Sequence, residues 1–124
     1  MKGPMKIPGP DHPITIAPHA GPVRVICAGR VVADTTRALV LQEKGYRPVY
    51  YIPRDDAQMG LFERTAHTTY CPYKGDAAYY AIRVGETVSD NAIWTYEQPF
   101  PAVADIAGRL AFYPDRVDAI DVTA

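Results

Sequence analysis

Thr68-Thr69-Tyr70-Cys71-Pro72-Tyr73-Lys74-Gly75-Asp76-Ala77-Ala78-Tyr79-Tyr80 stands near the middle of the chain and divides it. Pro72 and Gly75 enforce a turn. Lys74, boxed between Tyr73 and Gly75, is therefore held in place rather than trailing in solvent. Residues 76–84 read as a strand. Ala78, Tyr80, Ile82 and Val84 form its core face, and Ala77, Tyr79, Ala81 and Arg83 the other.

The sequence on either side looks like two versions of one pattern. Gly29, Val32 and Asp34 recur as Gly85, Val88 and Asp90 at the same spacing. Residues 38–43 line up with 92–97. Residues 50–55 line up with 111–116, sharing aromatics, a proline and an Arg/Asp pair. The alternative is coincidence among common strand and turn residues. A true internal pseudo-repeat predicts two halves packed around one core, with a ligand cleft between them, because pockets favour such junctions.

Read outward from the centre, short strands are expected at 14–16 (an edge), 23–28, 31–33, 38–43, 49–52, 87–89, 92–97, 110–113 and 117–122. Asp90-Asn91 reads as a turn. An aspartate caps a short helix over 57–63, and a second helix over 102–107 stops at Gly108. The fold class is mainly β: two antiparallel sheets packed together, with one or two short helices. Residues 1–21 form a Pro-rich N-terminal extension, its first ten or so residues a loose tail. Residues 22–124 form a single β domain of two similar halves joined around residues 54–76.

Composition agrees. The chain has 124 residues, 48% hydrophobic and 22% charged, which suits one globular domain. Twelve prolines, roughly twice the average share, favour short strands joined by defined turns. A net charge of −1 without a Lys/Arg run gives a nucleic-acid partner no support. No apolar run reaches a membrane span, and no signal core is seen. Cys27 and Cys71 are far apart and form no CxxC, so a cytoplasmic protein with reduced thiols is expected.

Cys71-Pro72-Tyr73-Lys74-Gly75 with Ala77 and Tyr79, preceded by Tyr51, Pro53 and Asp55 and followed by Ala111-Phe112-Tyr113-Pro114, resembles a mainly bacterial family, the domain of unknown function 427. The resemblance covers roughly residues 22–122. It implies a β-tent (Mss4-like) architecture of two sheets leaning on one another. Many β-tent proteins carry zinc at two CxxC hairpins; without those motifs no metal and no cofactor is expected here. A nucleotidyltransferase label attached to the family finds no phosphate-binding glycine loop and no suitable carboxylate pair in this chain.

Several residues carry candidate chemistry. Cys71, near Lys74 and His67, reads as a nucleophile of lowered pKa or as a small buried side chain in a proline turn. Lys74 reads as a partner for a ligand anion, or as an ion-pair partner of Asp55, Asp76 or Glu97. His67 reads as a general base or as a surface histidine; with His12 and His19 it shows no metal-ligand spacing. Arg54 reads as an anion clamp or as half of an Arg–Asp surface pair. Tyr51, Tyr73, Tyr79, Trp94 and Tyr96 line a cleft or cement the sheets. The leading expectation is small-molecule binding, of an anionic ligand, through Arg54, Tyr73, Lys74, Tyr79 and Trp94. The alternatives are an enzyme using Cys71 or Lys74, and an interaction module that pairs through a sheet edge as a homodimer.

Overall fold

Proline and glycine punctuate the N-terminal part of the chain into short strands, as the composition predicts, whereas three strands further on run to nine or ten residues. The computed structural model describes residues 3–124. In chain order the strands are β1 (Ile14–Pro18), β2 (Val23–Cys27), β3 (Arg30–Thr35), β4 (Leu39–Glu43) and β5 (Val49–Tyr51). After them come β6 (Phe62–Cys71), β7 (Gly75–Val84), β8 (Thr87–Thr95), β9 (Ala111–Phe112) and β10 (Ala119–Val122). The remaining regular pieces are 3-10 turns. No helix of the described residues is long and apolar enough to cross a membrane.

The mainly β class holds, but hydrogen bonding divides the strands into three antiparallel sheets rather than two: β1-β4-β5, β10-β2-β3 and β6-β7-β8-β9. The first and last meet at one point, where Ile52 and Leu110 exchange both backbone hydrogen bonds at 2.8 Å. The extra division comes from the N-terminal half, where β3 and β4 are separate strands in different sheets. In the C-terminal half β8 runs unbroken from β7 to β9, and its register shift against β7 is absorbed by a bulge. Asp90-Asn91 is therefore inside a strand, with Asn91 at φ 49°, and is not a hairpin turn. Facing pairs correspond between the halves. Leu39 stands opposite Tyr51 and Val40 opposite Tyr50; Ile93 stands opposite Phe112 and Trp94 opposite Ala111.

Two apolar clusters form the interior. One joins Val23, Val25 and Val32 to Tyr80, Ile82, Ile93 and Phe112. The other joins Leu41 and Tyr51 to Ala77, Tyr79, Tyr96, Val103 and Ile106. The middle of β7 is thus buried on both faces, and the face carrying Ala77 and Tyr79 is core as well. Strands covered on both sides read as continuous apolar runs, so alternation is a poor guide to them.

Three expectations fail locally. Residues 57–63 form no α-helix: two 3-10 turns, Arg54–Asp56 and Met59–Leu61, lead straight into β6. Pro101–Ile106 is likewise 3-10, broken at Val103, although Gly108 does adopt the left-handed φ of 71° that its stop role needs. The expected loose tail begins at residues 1–2, which lie outside the described residues, but from Gly3 onward the N-terminal segment is not loose. The Lys6 amide donates to the Pro72 carbonyl at 2.8 Å, and the Tyr70 hydroxyl donates to the Gly3 carbonyl at 2.7 Å. Residues 3–13 therefore lie against the β6–β7 turn, and β1, which follows them, pairs with β4.

Candidate functional site

The β6–β7 turn begins the site. Cys71 faces Gly75 across the hairpin, and the Lys74 amide donates to the Cys71 carbonyl at 3.2 Å. Pro72 takes the second position of that turn, where its fixed φ is an advantage. Gly75 sits at φ 105°, a conformation that side chains disfavour. Three residues, 72–74, thus separate the paired Cys71 and Gly75. The turn throws the Lys74 side chain inward, and Lys74 is only 8% exposed.

A buried ammonium needs a partner. It is none of the three carboxylates expected from sequence. Lys74 Nζ donates to Glu43 Oε1 at 2.5 Å, from the end of β4, and also to Cys71 Sγ at 3.7 Å. The second carboxylate oxygen, Oε2, meets His12 Nε2 at 2.7 Å. The His12 ring stacks on Tyr73, centroids 4.1 Å apart and nearly parallel. Burial pushes the Glu43 carboxyl up, but hydrogen bonds and charge from Lys74 and His12 outweigh burial and hold it below its ordinary range. The N-terminal segment, β4 and the β6–β7 turn are thereby tied at one carboxylate.

Beside this pair lies a cavity of about 260 Å³ with walls from both halves of the chain. Glu43, Tyr51, Lys74, Tyr79, Tyr96 and Tyr113 contribute its polar groups, with Cys71 and Trp94 between them. The Tyr79 hydroxyl bonds Thr69 Oγ1 at 2.9 Å and the Tyr113 hydroxyl at 3.3 Å. Trp94 Nε1 donates to the Tyr51 hydroxyl at 3.3 Å. The Tyr96 hydroxyl has no hydrogen-bond partner among the described residues, although the residue is only 7% exposed. Since no fully buried side-chain polar atom is left unsatisfied, that hydroxyl must reach the cavity space. Burial pushes the phenols of Tyr51, Tyr96 and Tyr113 well up. At neutral pH they are O–H donors, not phenolate bases or nucleophiles.

A second cavity of about 480 Å³ adjoins the first, and Tyr46, Arg47, Val49 and Trp94 line both. Its remaining walls are apolar, including Val25, Ile52, Phe112 and Ile120. Arg47 belongs to the β4–β5 loop, is exposed, and has no ion-pair or hydrogen-bond partner among the described residues.

Of the residues singled out in the sequence, Lys74, Tyr79, Trp94 and Cys71 come together around the polar cavity. Arg54 and Tyr73 line neither cavity. Arg54 donates to the Gly108 carbonyl at 2.6 Å and to the Tyr80 hydroxyl at 3.3 Å, bracing the Ile52–Leu110 junction. Tyr73 points outward to His12. His67 is exposed, with its ring against Tyr79 at 4.5 Å, and makes no hydrogen bond to Cys71 or Lys74. Tyr51 and Tyr96, also among the aromatic residues read from sequence, line the polar cavity too. Sequence reasoning missed Glu43, Arg47 and Tyr113; for Tyr113 the alignment of block 111–116 with 50–55 is the available signal. Among the described residues no group of three or more His, Cys, Asp or Glu is placed to hold a metal.

Fold and site together define a mainly β domain with a polar, tyrosine-lined cavity. The chain belongs to the family described as Domain of unknown function (DUF427), whose model matches residues 15–123. No curated protein is matched by the chain.

Proposed function

We propose that this protein is a binding domain for a small anionic molecule, held in the polar cavity. The observation that carries this reading is the Tyr96 hydroxyl, a donor without a partner in a residue otherwise buried. Open to the cavity, that hydroxyl is free to donate to a bound acceptor. The charges favour an anion. Lys74 and Arg47 outnumber Glu43 around the space, and the phenols can only donate strongly. Binding at the join of two similar halves also fits the repeated blocks of the sequence.

Trp94 is the only tryptophan and stands in the cavity wall, so its fluorescence reports occupancy. Titration with butyrate and benzoate is expected to change Trp94 emission saturably, while butylamine does not. Tyr96→Phe should weaken the carboxylates about tenfold, the equivalent of one hydrogen bond to a charged group. Failure of both carboxylates to bind, or equal binding by the amine, overturns the reading.

One observation favours a second reading, an enzyme using Cys71. Its sulfur borders the cavity and accepts from Lys74 Nζ. Glu43 counters this by drawing on the same ammonium. If Cys71 is a nucleophile, iodoacetamide at neutral pH labels it in the native protein far faster than it labels Cys27. Labelling that waits for unfolding excludes that role.

A further inference from the structure

The geometry points to a single amphipathic ligand that occupies both cavities: a monocarboxylate whose head lies among Tyr51, Tyr96 and Lys74 and whose apolar body fills the larger chamber. This rests on the anion-binding reading above and adds the ligand's class.

Three features support it. The cavities adjoin, because Tyr46, Arg47, Val49 and Trp94 line both. The chemistry changes sharply across that shared wall. On one side are phenols, an ammonium and a carboxylate; on the other, Val25, Ile52, Phe112 and Ile120. Finally, Arg47, without an ion-pair or hydrogen-bond partner among the described residues, lines both cavities, as does Tyr46, 69% exposed. An apolar chamber of about 480 Å³ falls in the size range of small-molecule pockets, and the polar one of about 260 Å³ falls below it. A wholly polar ligand would leave the larger space unfilled, and a wholly apolar one would leave Tyr96 and Arg47 unpaired. A carboxylate on an alkyl or aryl body answers both.

The test is a chain-length series, butyrate, hexanoate and octanoate, titrated against Trp94 fluorescence. Each methylene that leaves water strengthens binding about three- to four-fold, the equivalent of about 0.8 kcal/mol. From butyrate to octanoate the expected gain is roughly a hundredfold. Val122→Glu, at an exposed residue on the wall of the apolar chamber only, should cut the ratio of octanoate to butyrate affinity at least tenfold. Ile120→Asp, on the same wall, repeats the test in a second variant, and a thermal melt of each establishes that it is folded. Butyrate and octanoate binding equally well overturns the two-chamber ligand and leaves the anion reading standing. No binding by any member overturns both. A length dependence that both folded variants leave untouched places the body elsewhere and also overturns the proposal.

Discussion

Removing the Lys74 ammonium would strand the Glu43 carboxylate, whose side chain is only 9% exposed. Breaking one side of a buried pair generally costs more than the pair contributes, because the remaining charge is left desolvated. Lys74→Met is therefore expected to destabilise the protein by about 2–3 kcal/mol in urea unfolding. His12 keeps the loss at that level by remaining on the other carboxylate oxygen. Adding Glu43→Gln should restore a good part of it, so the two changes are far from additive in a double-mutant cycle. Additive losses would mean that the pair contributes nothing as a pair. Tyr96→Phe is expected to behave oppositely. It removes a hydroxyl with no protein partner, so the melting temperature should hold or rise while carboxylate binding falls. A large drop in stability would reveal a partner for that hydroxyl and remove the main support for a ligand site. Lys74 was legible as a positioned residue because the turn chemistry around it is local. Glu43 was not, because it is 31 positions away and reaches Lys74 only once β4 is registered against β1 and β5.

Turns carry the clearest local signals, and two of them make predictions. Ala28 adopts φ 51° and Gly29 φ 75° in the two-residue β2–β3 loop, where both central positions require positive φ. Asn-Gly is the preferred pair for such a loop. Ala28→Asn is thus expected to stabilise by about 0.5–1 kcal/mol in thermal unfolding, and loss of stability would show that the left-handed strain is not relieved. Gly75→Ala should go the other way. A methyl at Gly75 meets only ordinary contacts, 3.6–3.7 Å from Gln98 and Phe100, so the penalty of about 1–3 kcal/mol comes from its φ of 105°. That change should also disturb Lys74, and binding should weaken with it. Strand β6 was the one long element that the sequence did not announce. Its ten residues bury little beyond Phe62, and its register jumps between Arg64 and Thr68. An edge strand exposed in this way shows no alternation to read, and charges and irregularity are what such edges carry. The helices expected at 57–63 and 102–107 fail for a related reason. Each holds enough apolar residues for one buried side, but too few residues for α-helical nucleation to succeed against nearby strand pairing.

For the whole molecule, the mainly β class and the turn at residues 71–75 follow from patterns within short windows. The third sheet, the docked N-terminal segment and the convergence of Tyr51, Tyr96 and Tyr113 depend on how distant windows close on one another, chiefly at the Ile52–Leu110 bridge. The most consequential closure is electrostatic. Glu43 ties His12 of the N-terminal segment to Lys74 of the central turn, and its carboxyl is held below its ordinary value of 4.5 in the folded chain. The sign follows from linkage. A folded-state value below the unfolded one means that stability from this group is present above about pH 4.5 and is lost as pH falls through the folded value. Asp56 and Glu97 are held low as well, mainly by hydrogen bonds from Arg37 and Arg64 respectively, so the whole molecule should be acid-labile. Comparison with Glu43→Gln isolates the one group, because the other carboxylates titrate alike in both proteins. The difference in melting temperature between the native chain and Glu43→Gln should be steady from about pH 7 to about pH 5, then shrink as the solution is acidified further. Circular dichroism melts across that range measure it. A difference that stays constant into strong acid would mean that Glu43 stabilises the fold by its shape and hydrogen bonds alone, and that its charge does not hold the N-terminal segment to the turn.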